Sequence, residues 1–165
     1  MTMSKEQKSV LALYPNRYGL GYALFGSPDD LIDCGIGYIR PTSNRKTMKR
    51  VRQYLDFYKP SVVVTRGNEP VIKRLSLRLE RLVKLIEKEA QSQKLKVHSY
   101  HRGHIQNVFT QFGANTKYHV SQKLISWYPQ LKKYGFPKRK RWMNESHNTG
   151  VFDAVSLAMV FYYLE

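Results

Sequence analysis

A basic segment at residues 132–142 combines six positive charges with three aromatic side chains. Lysine and arginine bind nucleic-acid phosphates with release of counterions, independently of base sequence. Aromatic rings offer stacking platforms for unpaired bases, as at a junction or a flap. We therefore predict that this segment binds nucleic acid; the residues involved are Lys138, Arg139, Lys140, Arg141 and Trp142. The alternatives are a flexible, solvated loop and a Trp142 side chain that simply packs on the core.

The composition of the whole chain agrees with a polyanionic partner. Its 165 residues include 28 Lys and Arg but only 12 Asp and Glu, a formal net charge of +16. Such an excess opposes compaction and is typical of proteins that bind nucleic acid. The apolar fraction of 42% indicates a folded chain. No apolar run is long enough to span a membrane and residues 1–9 are polar, so we expect a cytoplasmic protein.

Other side chains with reactive or metal-binding groups give weaker signals. Cys34 is the only cysteine, which excludes an internal disulfide and a cysteine-based zinc site. Four histidines, at positions 98, 101, 104 and 119, are candidate metal ligands. No acid lies close to them in sequence, and histidines that face solvent or phosphate are commoner than zinc ligands of this kind.

Hydrophobic periodicity predicts the elements that position these groups. Apolar runs within residues 10–13, 20–25 and 31–39, with a turn signal at Pro15 and Asn16, predict a three-stranded meander. The β-branched run at residues 61–65 suits a central parallel strand, and residues 94–100 alternate like a further strand.

Helical spacing predicts the remaining elements. Met48, Val51, Leu55 and Tyr58 share one face of a first helix, and a second is expected from about Pro70 to Gln91. On the second helix, Arg74 and Arg78 lie outside the apolar stripe and could assist nucleic-acid binding. Three later helices are predicted at residues 103–112, 116–128 and 150–164. The order predicts one α/β domain over residues 1–165, a ribonuclease H-like mixed five-stranded sheet with helices on both faces.

Four stretches in this order carry a family resemblance: LYPN with a following GY at 13–22, VVVT at 62–65, FGANTK at 112–117 and FDAVSLA at 152–158. Together they resemble the RuvC-type Holliday-junction resolvases of the ribonuclease H-like superfamily. The resemblance implies hydrolysis of phosphodiesters by two Mg²⁺ or Mn²⁺ ions, which require oxygen ligands, chiefly carboxylates. It also implies that Lys117, after the glycine loop, lies near the active face, where we expect it to bind nucleic acid.

Most of the implied carboxylates are missing. By the resemblance, Tyr14 replaces the first aspartate, Thr65 a glutamate and Gly150 a further acid, whereas Asp153 matches the family's last carboxylate. A phenol and a neutral hydroxyl cannot substitute for two metal-binding carboxylates. We therefore expect a degenerate centre without a cofactor. If the centre is active, Asp153 is a metal ligand, and Glu69, Glu145 and His147 complete a rearranged site.

Three functions remain open at this point. The leading hypothesis is a RuvC-like protein that binds branched or single-strand-containing DNA, as a homodimer like the resolvases it resembles. The second is an active Mg²⁺- or Mn²⁺-dependent endonuclease that uses the rearranged acids. The third is a structural basic subunit that binds RNA or an acidic protein.

Overall fold

The structure is a computed structural model that describes residues 8–67 and 76–165. The strands are β1 (Val10–Asn16), β2 (Gly19–Ser27), β3 (Asp30–Tyr38), β4 (Val62–Arg66) and β5 (Lys96–Tyr100). The α-helices are α1 (Asn44–Tyr58), α2 (Leu77–Ser92), α3 (Arg102–Thr110), α4 (Lys117–Trp127) and α5 (Thr149–Leu164), and a 3₁₀ helix spans Pro129–Tyr134.

The five strands form one mixed sheet in the order β3-β2-β1-β4-β5. β1, β2 and β3 pair as an antiparallel meander, and β4 and β5 continue the sheet parallel to β1. The β-branched run of β4 suits this position because a parallel strand between two others is buried on both faces. The structure thus confirms the predicted ribonuclease H-like α/β fold and its initial meander.

Each face of the sheet is covered by its own helices. Val10, Ala12 and Tyr14 of β1 belong to a core cluster formed with α3, α4 and α5. Leu11 and Leu13 belong to a second cluster formed with α1 and α2. This division follows from the strand geometry, since successive side chains point to opposite faces.

Helix α5 crosses the centre of the sheet and is buried around most of its circumference. It approaches the hairpin very closely at its start, where a Cβ atom added to Gly21 would lie only 2.2 Å from the carbonyl oxygen of Gly150. Glycine at position 21 therefore lets the beginning of α5 lie directly on β2. Among the described residues, no helix has the length and apolar character needed to cross a membrane.

Several boundaries differ from the sequence predictions. The β1–β2 turn is formed by residues 17–18, because Pro15 and Asn16 still belong to β1. Asn16 nevertheless organises that turn, since its Oδ1 accepts hydrogen bonds from the backbone N–H groups of Tyr18 and Gly19 at 2.8 and 3.1 Å. Strand β5 begins at Lys96 instead of Lys94, whose positive φ of 60° is incompatible with an extended strand.

Two further segments differ from their sequence-based expectations. The basic segment, expected to be a loop, is helical at its start, because the 3₁₀ helix extends to Tyr134. Helix α2 is described from Leu77, with Ser76 as its N-cap, and the predicted start at Pro70 lies outside the described residues. Arg74 and Glu69 also lie outside them.

Candidate functional site

The carboxyl end of β1 is where the structure brings together three of the positions singled out by the resemblance, Tyr14, Gly150 and Asp153. Tyr14 is 6% exposed and faces the α5 side of the sheet. It pairs across the hairpin with Gly21, on which Gly150 lies. Asp153 follows Gly150 by about one helical turn and is also buried. The first turns of α5 and the end of β1 therefore form one site.

Strand β4 contributes a different residue from the one predicted. Thr65 is opposite Leu13 in the parallel ladder and therefore faces the α1 and α2 side. The next residue, Arg66, faces Tyr14: its guanidinium carbon lies 4.3 Å from the centre of the Tyr14 ring. The β4 residue that faces Tyr14 is thus Arg66 and not Thr65.

Arg66 is held in place by two contacts with β1. Its Nη1 donates a hydrogen bond of 2.8 Å to the carbonyl oxygen of Pro15, and its guanidinium makes a cation–π contact with Tyr14. Thr65, by contrast, is fully buried, and its hydroxyl has no hydrogen-bond partner among the described residues.

Asp153, the carboxylate that matches the family pattern, is paired with a cation. Its Oδ1 accepts a hydrogen bond of 2.9 Å from Nη1 of Arg102, and the two side chains are only 7% and 16% exposed. Arg102 is the first residue of α3 and lies two residues after the end of β5. A buried carboxylate with an arginine at this distance has its charge satisfied within the protein.

Two histidines form the cap of the helix that begins with that arginine. His101 is the N-cap of α3, and its Nδ1 accepts a hydrogen bond of 2.9 Å from the Gly103 N–H. His104 completes the capping box, since its Nδ1 accepts from the His101 N–H at 3.1 Å. Burial, with a further contribution from His101, lowers the pKa of His104, which favours the neutral ring needed to accept this bond.

Glu145, the second candidate carboxylate, is also paired. Nζ of Lys117, the first residue of α4, donates a hydrogen bond to its Oε1. Burial acts to raise the pKa of Glu145, but the pKa is lowered overall, chiefly by the hydrogen bond and the charge of Lys117. Thr149 and the charge of Arg102 contribute in the same direction. Arg102 therefore influences Glu145 as well as Asp153.

We expect the stability provided by the Glu145 carboxylate to depend on pH. Because its pKa is lower in the folded state, the contribution is present above the ordinary glutamate pKa and is lost as the pH falls through the lowered value. Glu145→Gln should therefore lower the free energy of unfolding at about pH 7 by at most ~1 kcal/mol, since the pair is about one third exposed. The difference should shrink once the pH falls below the ordinary glutamate pKa of about 4.3, which urea unfolding at about pH 7 and at an acidic pH below that value would measure. An equal loss at both values would contradict the ionic role.

These side chains do not suit a pair of divalent metal ions. Hard cations such as Mg²⁺ need several oxygen ligands. Here both described carboxylates are paired with cations, and the remaining sides carry Tyr14 and Arg66. Residues 8–67 and 76–165 contain no group of three or more His, Cys, Asp or Glu side chains that could hold an ion. His147, expected in a rearranged site, instead stacks on Tyr18 with ring centres 4.1 Å apart.

Comparison with known proteins finds similarity in structure alone. No protein-family model matches the sequence, and no similar sequence is found among curated proteins. RuvC of Thermus thermophilus superposes with a TM-score of 0.64 at 14% identity, over 94% of this chain and 93% of that one. The same protein in complex with Holliday junction substrate gives 0.63 at 13% identity, with the same coverage. The yeast mitochondrial Holliday junction resolvase gives 0.62 at 10% identity, over 97% of this chain and 80% of the resolvase.

The chain has the fold of the RuvC resolvases.

On this RuvC fold, the basic segment extends from the site described above. Phe136 packs edge-to-face on Phe152, the residue before Asp153, with ring centres 5.6 Å apart. This contact anchors the segment beside α5. The residues that follow it, Lys138, Arg139, Lys140 and Arg141, are exposed.

The position of Trp142 contradicts the alternative in which this ring packs on the core. Trp142 is 80% exposed, and Nζ of Lys140 lies 5.4 Å from the centre of its ring. An exposed indole with a neighbouring cation is available to stack on a base.

Cations also surround the end of β1 on the α2 side. Arg78 donates through Nη2 to the carbonyl oxygen of Asn16 at 3.5 Å and through Nη1 to Oδ1 of Asn44 at 3.1 Å. In the adjoining turn, the Arg17 guanidinium lies 4.8 Å from the centre of the Tyr18 ring. Arg66 and Arg78 thus both donate to carbonyl oxygens at the end of β1, while the role of Arg78 in nucleic-acid binding stays a prediction.

Sequence reasoning missed Arg66 and Arg102, although the sequence contains a signal for both. β1, β4 and β5 are parallel, so their carboxyl ends lie along one edge of the sheet. Ligand sites of open α/β sheets form at this edge. Arg66 ends β4, and Arg102 lies two residues after β5.

Proposed function

We propose that this protein binds branched or single-strand-containing DNA and does not cleave it through a divalent-metal centre. One observation carries the proposal. Guanidinium groups face two positions where the resolvase pattern has metal-binding acids: Arg66 lies on Tyr14 and Arg102 is paired with Asp153. Such a centre attracts phosphate but repels divalent cations.

Three further observations support a DNA partner. The chain carries a net charge of +16. Exposed cations and the exposed Trp142 ring coincide in the basic segment, which is anchored beside the site through Phe136. The solved structures with the same fold are Holliday junction resolvases, one of them bound to junction substrate. By analogy with these proteins, we propose DNA in preference to RNA as the ligand. We also propose a homodimer, because a junction presents two symmetric strands, and a cytoplasmic location.

Metal titration tests the absence of a divalent-metal centre. We expect isothermal titration of Mn²⁺ or Mg²⁺ into the full chain to show no saturable binding below about 1 mM, because the described acids are already paired. Asp153→Asn is the matched control and should give the same baseline. Submillimolar binding that is lost in Asp153→Asn would contradict the proposal and favour the endonuclease, with Glu69 and Glu145 as further ligands.

DNA binding is tested separately. Fluorescence anisotropy with a four-way junction, a flap and a plain duplex, all in EDTA, should show binding that weakens steeply with salt. Preference for the branched substrates would support the proposal. Preferential competition by RNA or by an acidic protein would instead favour the structural basic subunit.

A further inference from the structure

We propose that Arg66, together with Arg78 at the same strand end, binds a backbone phosphate of the DNA at the end of β1 and thereby replaces divalent metal ions as the phosphate-binding group of the site. The inference rests on the proposed function, because it specifies how the same site contacts DNA.

The balance of charge at the site identifies these two arginines. The carboxylates of Asp153 and Glu145 are paired with Arg102 and Lys117. Among residues 8–67 and 76–165, no carboxylate lies within ion-pair distance of Arg66 or Arg78. The site therefore retains two positive charges whose described contacts are all to uncharged groups.

The geometry places both guanidiniums around the same strand end. Arg66 donates to the carbonyl oxygen of Pro15 at 2.8 Å, and Arg78 reaches the carbonyl oxygen of Asn16, the next residue, at 3.5 Å. These bonds use only part of the five donors that each guanidinium carries. Groups that remain available for an anion are thus oriented in advance by the strand, which reduces the entropic cost of binding.

The environment favours an anion of the phosphate type. Arg66 and Arg78 are half-buried, so their charges are screened less than those on the open surface. The planar guanidinium of arginine can donate to two phosphate oxygens at once. A site without a metal ion needs such donors, because no metal is present to coordinate the phosphate oxygens. The location agrees with a DNA ligand, since the aromatic pair formed by Tyr18 and His147 adjoins the same turn.

The test compares two substitutions that both retain a donor at this position. Arg66→Gln removes the charge, whereas Arg66→Lys keeps it. With a four-way junction in EDTA, Arg66→Gln should bind about tenfold more weakly than the unmodified protein, and the slope of log K against log salt should fall by about one. Arg66→Lys should keep the slope and lose less affinity.

Arg52→Gln is the matched control. Arg52 is exposed and pairs with Glu89 at 3.5 Å. Its replacement by glutamine removes the same unit of charge as Arg66→Gln. Glu89 lies about 16 Å along α2 from Arg78, at the 1.5 Å rise of a helix. We expect the affinity of Arg52→Gln for the junction to change less than twofold. Thermal unfolding of each variant would show that the comparison is made between folded proteins.

The outcomes separate this inference from the proposed function. If the unmodified protein binds the junction and Arg66→Gln is indistinguishable from Arg52→Gln, the phosphate site is overturned while DNA binding stands. If junction binding appears only after Mg²⁺ is added, metal-independent recognition by the arginines is overturned. If the unmodified protein binds no DNA with or without Mg²⁺, the proposed function itself fails.

Discussion

Asp153→Ala is expected to lower the free energy of unfolding by about 3–5 kcal/mol, because it leaves the Arg102 guanidinium buried without its carboxylate. The two side chains are 7% and 16% exposed and their charged atoms are 2.9 Å apart, so water cannot readily replace the lost partner. Urea denaturation at about pH 7 in EDTA would measure the effect.

The double substitution provides the control. If the pair is structural, Arg102→Met combined with Asp153→Ala should recover much of the stability lost in Asp153→Ala alone, because no charge is then left unpaired. If Asp153 served as a metal ligand instead, its removal would relieve electrostatic repulsion in the metal-free protein. An Asp153→Ala variant as stable in EDTA as the unmodified protein would therefore contradict the structural ion pair.

Neutralising the basic segment is expected to have the largest effect on DNA binding. Replacing Lys138, Arg139, Lys140 and Arg141 together by alanine should weaken junction binding by about a hundredfold or more, with a fall of about 3–4 in the salt slope. These four side chains are exposed, so the fold should not change. Anisotropy titrations at several salt concentrations would provide both quantities.

Removal of four charges elsewhere distinguishes a contact surface from a general effect of net charge. Lys49, Arg52, Lys84 and Lys88 are exposed on α1 and α2. Their joint replacement by alanine lowers the net charge by the same amount. We expect a much smaller loss of affinity and a slope that is nearly unchanged. Equal losses in the two variants would mean that the basic segment is not a specific contact surface.

Much of the fold could be predicted from the sequence, because the relevant signals are local. The continuous β-branched run of β4 indicates burial on both faces, and the apolar composition of α5 indicates a central helix. Ser43, Ser76 and Thr116 accept N-cap hydrogen bonds at the starts of α1, α2 and α4, a position that serine and threonine favour. Boundaries such as the β1–β2 turn were less accurate, since Pro15 and Asn16 are tolerated at the end of a strand.

The sequence by itself determined the element order and the basic segment, and it has no acid at positions 14, 65 and 150, which the resemblance singles out. Only the tertiary structure decided which side chains lie together at the end of β1. The register between β1 and β4 turns Thr65 away from Tyr14 and brings Arg66 to it, and a shift of one residue would reverse both. The pairing of Arg102 with Asp153 joins residues 51 positions apart, and that of Lys117 with Glu145 joins residues 28 apart. Such pairs depend on how helices pack across the sheet, which local periodicity does not encode.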